Sequence, residues 1–249
     1  MTVVLVHGNP ETAAIWGPLT ELLDGHDVVA LSPPGFGAPV ADGWTATRAE
    51  YTGWLVDELE TIGEPVDLVG HDWGGGHVVA VAMSRPDLLR SWCIDVAGIL
   101  HPDYVWHDMA QLWQTPDVGE ETIKAMLDAP LADRTANYEQ LGMTPDVAAE
   151  LAGAVDETMG RCILGLYRDA AQPALAETGA RLEAAAARPG LVIIAENDTY
   201  VGTADMARAS ADRAGAKVVV LEGVGHWWML QDPAAGAAAL TDFWTGLEA

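Results

Sequence analysis

The chain has 249 residues, 12 of them basic and 37 acidic, for a formal charge of −25 at pH 7. That balance excludes nucleic acid and anionic membranes as expected partners and argues against an anionic substrate arriving by steering. Half the residues are hydrophobic, enough for one large core carrying an insertion, and Cys93 and Cys162 are too few and too isolated for a disulfide framework or a metal site. No basic-then-apolar leader precedes the opening "TVVLVHG" and no apolar run reaches membrane-spanning length, so a cytoplasmic location is expected.

In chain order, apolar runs at 3–6, 28–31, 66–69, 91–96, 191–195 and 218–221 read as strands, with amphipathic helices such as 48–62 and 204–214 between them. Strand alternating with helix predicts a mostly parallel sheet covered on both faces. The interval between Val96 and Leu191 breaks the alternation. It is rich in large polar and aromatic side chains (Tyr104, Trp106, His107, Trp113, Tyr138, Tyr167) and shows helical periodicity at 120–127 and 147–167. It reads as a helical lid over 99–180, inserted into a core formed by 1–98 and 181–249.

The stretch "VDLVGHDWGGGHVVAVAM", 66–83, carries the chemistry. A buried strand meets a buried helix at a sharp turn, and Gly70-His71-Asp72-Trp73-Gly74 has the glycines of a nucleophile elbow with aspartate in the middle. The plainer alternative is that Asp72 only N-caps the helix. Other strand ends argue otherwise. His7-Gly8-Asn9-Pro10 follows the first strand, Glu196-Asn197-Asp198 the fifth and Gly223-Val224-Gly225-His226 the sixth. Ligands of open parallel sheets bind at these ends, and the order nucleophile, acid, histidine is that of the α/β-hydrolase fold. Asp72 is then the nucleophile, His226 the base and Asp198 its acid, with the backbone N–H groups of Asn9 and Trp73 as an oxyanion hole. An ionised carboxylate attacks saturated carbon directly and becomes an alkyl ester, which water activated by His226 then hydrolyses. Water is the second substrate, and no cofactor or metal is needed.

His7-Gly8-Asn9-Pro10, Gly70-His71-Asp72-Trp73-Gly74-Gly75 and Gly225-His226-Trp227 resemble the epoxide hydrolase and haloalkane dehalogenase branch of the α/β-hydrolases. The resemblance implies that fold, with its usual first two strands missing here and a sheet edge that a second copy of the chain is a candidate to cover. For an epoxide, it implies a lid proton donor: Leu166-Tyr167-Arg168-Asp169 resembles that family's second lid tyrosine, while Leu112-Trp113-Gln114 stands where the first is expected, so Tyr104, Tyr138 or His107 would substitute. For a halide, Asn9 and Trp73 match the dehalogenase donors, and the run from Gln114 to Glu120 resembles a dehalogenase lid segment. Asp95 stands where some dehalogenases place their acid and is a fallback partner for His226. The expectation is a hydrolase of a small apolar substrate, epoxide hydrolase first, haloalkane dehalogenase second, and a non-catalytic small-ligand receptor third.

Overall fold

The structure is a computed structural model and describes residues 1–248. Its six strands are β1 (Thr2–Val6), β2 (Asp27–Leu31), β3 (Val66–Gly70), β4 (Leu89–Ile94), β5 (Gly190–Ala195) and β6 (Lys217–Leu221). They form one sheet in the order β2-β1-β3-β4-β5-β6, with every pairing parallel. The largely apolar central runs follow from burial on both faces: every residue of β1, β3 and β5 is buried, including Asp67, which accepts hydrogen bonds from Arg90 and Ser91.

Helices α2 (Arg48–Ile62), α3 (Trp73–Ser84) and α10 (Ala204–Arg213) cover one face, their Tyr51, Leu55, Val78, Val81 and Ala211 joining Val4, Val6, Leu68, Val192 and Ile194 in one buried cluster. The other face is covered by α1 (Gly17–Thr20), α11 (Trp228–Gln231) and α12 (Pro233–Thr245), whose Leu19, Trp228, Leu240 and Phe243 meet Leu5, Val69 and Ile193. The chain leaves β1 for β2 on one side and returns to β3 on the other. The order reverses there, and the loops after β1 and β3 part to leave a crevice at their carboxyl ends. Asn9 and Asp72 lie on those two loops.

Between β4 and β5 the described residues hold six helices: α4 (Asp108–Gln114), α5 (Val118–Asp128), α6 (Leu131–Gln140), α7 (Pro145–Ala154), α8 (Glu157–Asp169) and α9 (Ala174–Gly179). Two expectations need correction. The fourth strand starts at Leu89 and stops at Ile94, because the Asp95 carboxylate turns out of the sheet to accept the Asp72 N–H and the Trp228 indole. The periodic stretch 147–167 is two helices, because Asp156 is extended and its carboxylate accepts the Met159 N–H, starting α8 afresh.

Candidate active site

Asp72 has φ 49° and ψ −126°, a backbone state that costs a residue with a Cβ about 1–3 kcal/mol. The turn is forced by the closeness of its flanks. A Cβ on Gly70 would come within 2.5 Å of the Gly74 carbonyl oxygen, and one on Gly74 would be driven into the Val6 carbonyl. The Asp72 side chain makes no capping bond to α3, so the plainer alternative fails. Instead its Oδ1 accepts the Asn9 N–H at 3.0 Å. The Trp73 N–H, first of α3, has no acceptor within the helix.

His226 approaches from the loop after β6. Its Nδ1 bonds Asp198 Oδ2 at 2.7 Å, and its Nε2 lies 3.7 Å from Asp72 Oδ2. Asp198 is itself oriented, its Oδ1 accepting the Tyr200 N–H at 2.8 Å. Burial opposes ionisation of Asp72, but the His226 ring, the His71 charge and the Asn9 N–H outweigh it and hold its pKa at about 2. Burial likewise opposes the charged form of His226, yet Asp198, with Asp72, raises its pKa to about 10 against the pull of His71. At neutral pH the resting pair is carboxylate and imidazolium.

Asp95, the fallback acid, does not reach His226. Its Oδ2 takes His71 Nδ1 at 2.5 Å and the Trp228 indole at 2.7 Å, and its Oδ1 takes the Asp72 N–H at 3.1 Å. On the other side of His71, at 3.3 Å from Nε2, stands Glu11, which is fully buried. Glu11 also accepts the Gly8 N–H at 3.1 Å and the Trp227 indole at 2.5 Å. Burial works against charge on His71, but Asp95 and Glu11 hold its pKa well above the ordinary value. This Glu11–His71–Asp95 chain ties together the turn after β1, the elbow and the histidine loop. Glu11, His71 and His226 bring metal-capable atoms within 4.8 Å of one another, while Glu11 Oε1, both His71 ring nitrogens and His226 Nδ1 are engaged in hydrogen bonds.

A cavity of about 320 Å³ opens over Asp72 and His226, walled by Asn9, His107, Trp113, Tyr138, Tyr167, Tyr200 and Trp227 among others. Burial and the Asp72 carboxylate push the Tyr167 phenol well above its ordinary pKa, so it stays protonated. His107 Nδ1 accepts the Ala110 N–H at 3.2 Å, and burial lowers its pKa; the neutral ring therefore carries its proton on Nε2. Two neighbouring indoles lie outside this cavity. Trp73 and Trp106 line a recess of about 10 Å³ beside the cavity, their rings stacked at 5.7 Å. Tyr104 lines the same recess and its hydroxyl is spent on the Tyr200 carbonyl at 2.8 Å, so it is no proton donor to substrate. The Tyr138 hydroxyl is similarly spent on the Pro10 carbonyl at 2.7 Å. Sequence reasoning passed over Glu11, Tyr200, Arg134 and Asn137, since nothing local distinguishes a buried glutamate in a turn or one arginine on a lid helix.

A parallel sheet with an elbow at its switch point, facing an acid–histidine pair from later strand ends, defines a hydrolase of the α/β type. The profile of the alpha/beta hydrolase family matches residues 3–239, and the chain belongs to that family. The (E)-2-((N-methylformamido)methylene)succinate hydrolase of Acinetobacter baylyi is 31% identical over 94 residues, which span 37% of this chain and 36% of that relative's length. Among solved structures, haloalkane dehalogenase DbeA from Bradyrhizobium elkani superposes with a TM-score of 0.76 at 19% identity, covering 99% of this chain and 90% of that one. The enol-lactonase from Burkholderia xenovorans superposes at 0.72 with 22% identity, covering 98% and 91%. These likenesses share the fold. No described helix is long and apolar enough to cross a membrane.

Proposed function

We propose that the chain is a hydrolase that forms an alkyl ester on Asp72, and that its substrate is an epoxide opened to a vicinal diol. The observation that carries the reading is an ionised Asp72 whose Oδ1 is held by the Asn9 N–H, leaving Oδ2, 3.7 Å from His226, as the attacking oxygen. Attack breaks one C–O bond of the epoxide and forms the ester. The ring oxygen gains a hydrogen-bond donor from Tyr167 or His107, both on the cavity wall beneath the helical lid.

Opening an epoxide needs a proton as well as a nucleophile. Ring opening consumes one proton, and the resting site stores one on His226. Once Asp72 is esterified, His226 loses a carboxylate neighbour while the charged His71 stays 4.5 Å away ring to ring, so its proton affinity falls; it gives up its proton, Tyr167 or His107 passes one on to the ring-opened oxygen, and the neutral ring is free to act as a base. Neutral His226, oriented by Asp198, then takes a proton from water, whose oxygen attacks the Asp72 carboxyl carbon. The N–H groups of Asn9 and Trp73 hold the oxyanion; on collapse the departing diol oxygen takes the proton from His226, and the Asp72 carboxylic acid returns its proton to His226, restoring carboxylate and imidazolium.

A haloalkane is the second reading, and one observation favours it. Asn9 Nδ2 and Trp113 Nε1 are buried without partners, and both residues line the cavity, a pair of N–H donors suited to a leaving halide. The test is intact-protein mass spectrometry of His226→Gln after incubation with an aryl epoxide or a terminal bromoalkane. An epoxide adduct on the peptide containing Asp72 is expected. An adduct from the bromoalkane alone would reverse the order of the two readings, and no adduct from either would end the ester mechanism.

A further inference from the structure

We infer that Arg134 is a substrate-recognition residue and that the preferred substrate carries a carboxylate at the end remote from the reacting carbon. The inference takes the cavity above as the substrate site and deepens the function proposed for it. Arg134, on α6, lines the cavity, and among the described residues it makes no ion pair with any carboxylate. Among the described residues its buried Nε has no hydrogen-bond partner, and its one hydrogen bond runs from Nη1 to the Leu127 carbonyl at a long 3.4 Å. In a chain with 37 acidic side chains, an arginine half-buried in a cavity and left unpaired is a vacancy for an anion.

Position and chemistry agree. Asn137 lines the same cavity one turn along α6, where residues three apart are neighbours, so its amide can donate to the anion that Arg134 binds. Asp72, the one carboxylate on the cavity wall, repels a second carboxylate near the reacting carbon, which confines an acidic group to the part of the wall supplied by the insertion. The formal charge of −25 repels a free anion at long range, so selectivity for a carboxylate needs a cation at contact distance inside the cavity. Trp113, Val155, Trp227 and Leu141 supply an apolar wall for the body of the molecule. The class is therefore a small ω-functionalised carboxylic acid.

The experiment is calorimetric titration of the wild-type protein with 4-phenylbutanoate and, separately, 4-phenylbutanamide, which have the same shape and no leaving group. The carboxylate is expected to bind about tenfold more tightly, a difference of about 1.4 kcal/mol. Arg134→Met should abolish that preference, costing the carboxylate more affinity than the amide, and Arg134→Lys should restore part of it. Equal binding of the two ligands by the wild-type protein would overturn the inference without any variant, as would a preference that survives Arg134→Met. Neither ligand can alkylate Asp72, so this outcome is independent of the mass-spectrometric test of the ester mechanism.

Discussion

Glu11→Gln tests whether the buried charge chain behind the elbow holds the site together. The Glu11 carboxylate is surrounded by donors alone: the Gly8 N–H, the Trp227 indole and His71 Nε2. Glutamine fits the volume, but its amide NH2 must face one of those donors, and the His71 imidazolium keeps only Asp95 as counter-charge. Breaking a buried pair by removing one charge costs roughly 3–5 kcal/mol, and because glutamine still accepts some of the bonds, about 3 kcal/mol is expected. For a chain of this size that lowers Tm by roughly 6–12 °C.

The pH dependence has a definite sign. Burial would raise Glu11, but the His71 charge holds it below its ordinary range, so its contribution to stability is present above the unfolded carboxylate pKa and lost as pH falls through the folded one. His71 is raised, so its contribution is complete below its ordinary value and lost only at a pH well above it. The gap between wild type and Glu11→Gln should therefore be full near neutral pH and narrow as the solution is acidified through the carboxylate range. Urea unfolding followed by tryptophan fluorescence at about pH 7 and about pH 4 measures it. A variant within about 0.5 kcal/mol of wild type at neutral pH, the range of ordinary surface changes, would refute the reasoning.

Four further outcomes are expected. Tyr167→Phe should slow turnover of an aryl epoxide by roughly a hundredfold in steady-state assays while leaving any bromoalkane turnover unchanged; an equal loss on both would remove the phenol as proton donor. Asp198→Asn should still form the Asp72 adduct but hydrolyse it about a thousandfold more slowly, since the amide favours the wrong imidazole tautomer; rapid decay seen by time-resolved mass spectrometry would contradict this. Single-turnover decay of the ester should quicken as pH rises and His226 loses its proton, levelling off below its resting value of about 10, because esterification removes the Asp72 charge that helps to sustain it; a flat profile would exclude His226 as the base. Gly74→Ala should cost about 2 kcal/mol or more in thermal unfolding, because the added methyl is driven into the Val6 carbonyl.

Much of this was legible before any coordinates. The six strands read as short apolar runs because a sheet covered on both faces leaves little room for polar side chains, and the elbow was visible because only glycines fit where β3 and α3 nearly touch. From the sequence Asp198 is the expected acid and Asp95 its fallback, the latter only because of its resemblance in position to the acid of some dehalogenases; in the structure Asp198 faces His226 and Asp95 faces His71. Lid chemistry was the least legible. Tyr104, Tyr138 and His107 are equivalent as letters, and only hydrogen-bond geometry reveals that the two tyrosines are bound to carbonyls while His107 keeps a free donor. Glu11 and Arg134 lie beyond sequence reasoning for different reasons: Glu11 acts through His71, 60 residues away, and Arg134 is marked by an Nε without a partner among the described residues.

The commitment of Asp95 also constrains how such a site can change over generations. Asp95 is engaged by His71, Trp228 and the elbow backbone at once. A lineage that lost Asp198 could not recruit Asp95 as the new acid by a single substitution, because redirecting it would strand the imidazolium of His71 and release the Asp72 N–H together. Turning Asp95 toward His226 therefore requires a change at position 71 as well, so that the buried histidine is not left without its carboxylate.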